Sequence, residues 1–85
     1  MPEFRQYYEE IKVRAEDLSG KVKEILHEGN VRRVIIKDDK GHTFMEIPLS
    51  VAALGAILVP VLAAVGTLAA LVAHFTIVVE RVEES

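Results

Sequence analysis

The chain has 85 residues, no cysteine and a formal net charge of −3 at pH 7. This length is typical of one small domain with a thin core. The lack of cysteine excludes disulfides and thiolate sites and fits a reducing, cytoplasmic location. The acidic balance, with basic residues interspersed among acidic ones, argues against nucleic acid as a partner.

The first third of the chain predicts a strand and an amphipathic helix. Residues 1–6 are expected to form a flexible leader, and from Tyr7 onward apolar and polar residues alternate as in a strand with one wet face. Four apolar residues at helical spacing then predict a helix that ends near Gly29. These four are Leu18, Val22, Ile25 and Leu26.

A β-hairpin is predicted next. Residues 31–37 are rich in β-branched side chains, and residues 42–49 alternate in a way that fits a second strand. The polar residues 38–41, which end in glycine, are typical of the turn between them.

The last predicted strand covers residues 75–82, where Glu80 and Arg81 are expected to mark its emergence into water. Residues 84–85 are read as a tail, which leaves one domain over residues 7–83. The order strand, helix, strand, strand, helical segment, strand predicts an α+β, split βαβ (ferredoxin-like) fold with two helices on one face of the sheet.

Alternation along the strands assigns side chains to the two faces of this sheet. The residues expected to face the helices are Ile11, Val13, Val34, Ile36, Met45, Ile47, Ile77 and Val79. The apolar residues expected to face away are Tyr8, Ile35, Phe44 and Val78.

The most unusual stretch is residues 47–79, which contain no Asp, Glu, Lys or Arg. One straight helix over residues 50–74 would be about 38 Å long, against about 30 Å for a domain of this size. Pro60 removes a backbone donor and disfavours helical dihedrals in the residue before it. The sequence therefore predicts a Pro-broken segment with helical pieces over residues 50–59 and 60–74.

Small residues recur at helical spacing within this segment, and such a stripe lets another backbone approach closely. They are Ala52, Ala56, Ala63, Gly66, Ala70 and Ala73. A chain this short has little interior to cover an all-apolar helix, so a homo-oligomer is expected. Packing of the stripe inside one monomer is the alternative.

Membrane association through residues 50–74 is a second hypothesis, because the segment has the length and lacks charge. A single span would place the last predicted strand on the wrong side of the bilayer, and much of the segment is only weakly lipophilic Ala and Gly. A third hypothesis is a carrier that holds an apolar ligand between helix and sheet.

No catalytic motif, cofactor motif or metal-ligand spacing is present, so the chain is predicted not to be an enzyme and to need no cofactor or metal. The histidines are His27, His42 and His74. His74 is the one to watch, because a histidine near a helix C-terminus is charged by a modest change in pH. The carboxylates at 38, 39 and 46 lack a calcium-loop pattern and predict a solvated turn.

The run from EGNVRRVIIK through EIPL and the Ala-rich PVLAA to TIVVER resembles a family of short prokaryotic proteins known as a domain of unknown function. The resemblance covers about residues 10–83. It implies no reaction, ligand or site residue. The leading hypothesis is a non-enzymatic scaffold or interaction module that self-associates through its apolar helical layer.

Overall fold

Four strands and two helices follow one another in the order β-α-β-β-α-β, which confirms the predicted α+β class. The computed structural model describes residues 4–28, 30–49 and 54–84. The elements are β1 (Phe4–Arg14), α1 (Ala15–Leu26), β2 (Val31–Asp38), β3 (Thr43–Pro48), α2 (Leu54–Leu68) and β4 (His74–Glu84).

The strands form one antiparallel sheet in the order β1-β4-β2-β3. Strands β1 and β2 therefore run in the same direction with β4 between them, and β3 and β4 do so with β2 between them. Each half of the chain is a split βαβ unit, as predicted. The central pair is β4 and β2, whereas a ferredoxin-like sheet in the strict sense has its first and third strands at the centre.

The outer strand β1 is longer than the sequence suggested. It starts at Phe4 and pairs with β4 in continuous register from Phe4–Glu84 to Arg14–His74. The predicted leader over residues 1–6 and the tail at residue 84 are thus wrong in part, because residues 4–6 and Glu84 are strand residues. Residues 1–3 and 85 lie outside the described residues.

The core lies between the sheet and both helices. Its fully or nearly fully buried members are Leu18, Val22, Ile25, Leu26, Val31, Val34, Ile36, Ile47, Val65, Phe75, Ile77 and Val79. All four predicted core residues of α1 are among them. All eight predicted helix-facing sheet residues belong to this core or pack against it.

Phe44 is the exception to the predicted faces. Its ring packs at a tilt against Phe75, with 5.7 Å between ring centroids, and so contacts the core. The β2–β3 pairing passes from Ile36–Met45 to Lys37–Thr43, which leaves Phe44 without an opposite residue. This bulge shifts the alternation by one residue and turns Phe44 toward the helices.

Helix α2 continues through Pro60 from Leu54 to Leu68, so the predicted division into two pieces is wrong. Proline removes one helical hydrogen bond, and here the helix is not interrupted by that loss. Its 15 residues span about 22 Å, which fits beside extents of 46 × 28 × 17 Å. The excess length of the apolar segment is instead absorbed because the helix ends at Leu68 and a turn leads to His74. Residues 50–53 lie outside the described residues.

Candidate functional site

Helix α2 has one buried side. Val65 is fully buried, and Val61, Leu62 and Leu68 pack against the core while staying half-buried. The helix carries no acidic residue in its first turn and no basic residue in its last turn. Burial thus explains why one side of α2 is apolar. It does not explain why the exposed side carries no charge.

The opposite side of α2 is exposed and built from small residues. Pro60, Ala63, Gly66 and Thr67 are all exposed, and 100° per residue places them around one side of the helix. The Thr67 hydroxyl donates to the carbonyl of Ala64 at 2.6 Å, so its hydrogen is already used within the helix. This side therefore presents small surfaces and no charge.

The turn after α2 extends the same surface. Ala70 and Ala73 are exposed, and Leu71 keeps 61% of its area accessible to solvent. An exposed leucine amid uncharged residues is typical of a contact site when it belongs to a larger apolar patch. We call the whole patch the outer α2 surface. It consists of Pro60, Ala63, Gly66, Thr67, Ala70, Leu71 and Ala73.

Four of the six predicted self-association residues, Ala63, Gly66, Ala70 and Ala73, lie on the outer α2 surface. A Cβ built on Gly66 would meet the Ser19 hydroxyl oxygen of α1 at 3.9 Å, which is ordinary contact. Gly66 is therefore exposed but lies beside α1. Ala52 lies outside the described residues, as does the side chain of Ala56.

A polar cluster that the sequence reading missed ties together both ends of the chain. Arg81 is only 8% exposed. Its Nε donates to Glu9 Oε2 at 2.8 Å, and its Nη1 donates to Glu28 and, at 3.1 Å, to Asn30 Oδ1. The prediction that Arg81 marks emergence into water is wrong. The signal was present, because Arg81 follows Ile77 and Val79 at spacing two and so shares their face.

The charge on Arg81 is secured by its surroundings. Its hydrogen bond to Glu28 raises its pKa, burial lowers it, and the bond to Glu9 raises it, with a net increase. Arginine keeps its positive charge in proteins, and these contacts favour that charge further. It links β4, β1 and the segment after α1, which makes the cluster a structural clamp.

The open face of the sheet carries a second ion-pair group. Arg33 contacts Glu46 at 3.0 Å and Glu80 at 3.4 Å across three neighbouring strands. Glu80 is only 8% exposed, so the prediction that it marks the emergence of the strand into water is wrong. Arg33 is therefore paired within the chain.

The hairpin turn is held by Asp38. Its carboxylate accepts from the backbone N–H groups of Lys40 at 2.9 Å and His42 at 2.8 Å, and its other oxygen lies 3.0 Å from His42 Nδ1. Burial raises the pKa of Asp38, but these hydrogen bonds and the nearby His42 outweigh it and hold that pKa below its usual value. Gly41, at φ 91°, supplies the left-handed residue that the turn requires.

The histidines and carboxylates considered from the sequence are the remaining candidates. His74 starts β4, so the expectation that it lies near a helix C-terminus is wrong. Over residues 4–28, 30–49 and 54–84, no three histidine, aspartate or glutamate side chains form a group that could hold a metal ion. Neither helix, as far as it is described, has the length and hydropathy that crossing a bilayer takes.

A cavity of about 300 Å³ opens at one end of the sheet, and it bears on the third hypothesis, in which an apolar ligand lies between helix and sheet. It is lined by Lys12, Val13, Arg14, Asp39, His74, Phe75 and Thr76. The charged residues among them make it unsuited to a purely apolar ligand.

Comparison with known proteins gives a family. The family described as "Domain of unknown function (DUF4342)" matches residues 4–81, which is nearly the whole chain. No curated protein and no solved structure matches. The resemblance seen in EGNVRR, EIPL and TIVVER is thereby confirmed, and the chain belongs to the DUF4342 family.

Proposed function

We propose that this protein is a non-enzymatic scaffold or interaction module that self-associates through the outer α2 surface. The observation that carries the proposal is the mismatch in α2, where an uncharged helix has Val65 as its one fully buried side chain among residues 60–68. Charged residues are absent from a helix side that faces solvent in the single chain. A second copy would remove that surface from water.

A second copy suits this surface better than a charged partner. Ala63, Gly66 and Ala70 offer no charge with which to recognise one. Ala63 and Gly66 lie three residues apart on α2, and small residues at this spacing let two helices approach closely, which increases dispersion contacts between them. Most soluble oligomers are symmetric assemblies of one chain, and in a twofold contact the same patch serves on both sides.

The direct test is the mass of Ala63→Glu against the wild type, measured by light scattering after chromatography without detergent. Ala63 lies on the exposed side, so the change leaves the core untouched but buries a charge in the contact. We expect roughly 30-fold weaker association, which corresponds to a cost of about 2 kcal/mol.

The matched control is Gly20→Glu, which adds the same charge to the exposed side of α1, where a Cβ at residue 20 meets nothing within 4 Å. It should associate as the wild type does. Equal masses for all three proteins would contradict the proposal. Flotation of the wild type with lipid vesicles, or an apolar ligand retained in native mass spectrometry, would support one of the other two hypotheses in its place.

A further inference from the structure

Strand β1 forms one edge of the sheet. It is bonded to β4 on one side, and no strand among the described residues pairs with its other side. The strand has 11 residues without an internal proline, and residues 5–10 are all exposed. Such an edge presents a row of backbone donors and acceptors that another strand can bind.

The charges on β1 match those of a second β1. Charged residues usually protect an edge from pairing, but alternating signs become complementary in one antiparallel register. When the twofold axis passes through Ile11, Glu10 lies opposite Lys12 of the other copy, and this occurs twice. Tyr8 then lies opposite Arg14, and an arginine beside an aromatic ring is favourable. In the described residues, neither Glu10 nor Lys12 forms an ion pair within the chain.

Other registers fit less well. Opposite residues must share a sheet face, so the axis has to pass through a residue. An axis at Glu9, Glu10 or Lys12 places identical charges opposite each other. An axis at Tyr7 relies on Glu9, which is already bound to Arg81 at 2.8 Å.

In the register whose axis passes through Ile11, apolar contacts of the core would extend from one copy to the other. Ile11 pairs with Ile77 inside the sheet and is only half-buried at the edge of the core. The same residue of a second copy would cover it. Apolar contact on the helix side and charge pairing on the open side would thus act together.

We propose that the β1 edge binds the β1 edge of a second copy, antiparallel and centred on Ile11, and so joins two four-stranded sheets into one. A seven-residue overlap over residues 8–14 gives about six to eight backbone hydrogen bonds. This contact is separate from the outer α2 surface and does not depend on it. A chain with both contacts links copies into rings or open filaments.

Cysteine cross-linking tests the register, because the chain has no native cysteine. In Ile11→Cys, the two Cα atoms would be about 4.5–5.5 Å apart, within disulfide range. In the control Tyr7→Cys, which lies on the same face, they would be about 27 Å apart at 3.4 Å per residue. We expect mild oxidation to give a covalent dimer from Ile11→Cys and at least tenfold less from Tyr7→Cys. Equal yields, or more dimer from Tyr7→Cys, would overturn the proposal.

Charge reversal tests whether the dimer yield depends on the pairing of Glu10 with Lys12. In the Ile11→Cys background, Lys12→Glu places Glu10 opposite a glutamate and should lower the dimer yield at least fivefold. Adding Glu10→Lys restores opposite charges and should restore the yield. A double variant that stays as low as Lys12→Glu alone would refute the pairing. Circular dichroism of each variant shows whether the fold is kept.

Discussion

The two helices cover the same sheet, but they expose different kinds of residue to solvent. Helix α1 buries Leu18, Val22, Ile25 and Leu26 and turns charged residues outward, two of which, Lys21 and Glu24, form an ion pair at 3.7 Å. Among residues 60–68 of α2, only Val65 is fully buried, and the exposed residues are small and uncharged. Helix α1 is a typical amphipathic helix, with one apolar side on the core and one polar side in water.

The proposed self-association gives the two helices different roles. Helix α1 packs its apolar residues on the sheet and exposes its polar side to water. Helix α2 packs one side on the core, but its exposed side carries no charged residue. Variants of the two helices should therefore separate stability from association.

The largest expected effect is on the buried side of α1. Leu18→Ala removes a fully buried side chain and should lower the free energy of unfolding by about 3 kcal/mol, since a cavity remains. Val65→Ala in α2 removes fewer atoms and should cost about 2 kcal/mol. Urea denaturation of both at one low protein concentration measures this. A larger loss for Val65→Ala would reverse the roles assigned to the helices.

The next largest effect on stability is expected at the clamp formed by Arg81 with Glu9 and Glu28. Arg81→Met keeps the length of the side chain but leaves Glu9 and Glu28 without their cation. We expect a loss of about 2 kcal/mol, less than for a fully buried pair, because the two carboxylates are partly exposed. Urea denaturation measures the loss, and Arg5→Met on the exposed part of β1 is the control. Equal stability of the two variants would show that the cluster is not a clamp.

Gly20 in α1 and Gly66 in α2 are both exposed, which gives a matched pair for association. Gly66→Leu enlarges the outer α2 surface and should weaken association by about tenfold, or about 1.4 kcal/mol, because the close approach is lost. Gly20→Leu on α1 should leave association unchanged. Sedimentation equilibrium measures both. Identical weakening by the two variants would point to a general effect of α1–α2 packing.

The smallest effect concerns pH and the hairpin, which lies outside the helical layer. The pKa of Asp38 is lower in the folded protein, so its hydrogen bonds stabilise the fold above the ordinary pKa of about 4 and are lost as the pH falls below it. The difference in melting temperature between the wild type and Asp38→Ala should shrink from pH 6 to acid. Asp39→Ala, at an exposed position, should show no such trend. A difference that is independent of pH would contradict the role of the carboxylate.

Much of the fold could be predicted because local periodicity matches the elements. The spacing of Leu18 to Leu26 fixed one face of α1, and alternation in the strands identified all eight helix-facing residues. Phe44 could not be placed, since the bulge depends on the pairing register of β2 and β3, which alternation within one strand does not reveal. The break at Pro60 was predicted from its local cost alone, whereas α2 continues through Pro60 and packs Val61 and Leu62 on the core.

The candidate site was predictable only in part. The small-residue stripe was visible as a pattern, yet its position relative to α1 was not, because that depends on how the helices pack. The contact between Gly66 and Ser19 shows this limit. The clamp at Arg81 could have been found from alternation, but its partners Glu9 and Glu28 are far away in sequence.

The central claim is that the outer α2 surface is covered by a second copy. Sedimentation equilibrium of the wild-type chain and of Ala63→Glu over a hundredfold range of concentration, without detergent or lipid, tests it most directly. We expect a wild-type mass that exceeds the 9.4 kDa of one chain and falls toward it on dilution, and a lower mass for Ala63→Glu at each concentration. A mass of 9.4 kDa at every concentration would contradict the account.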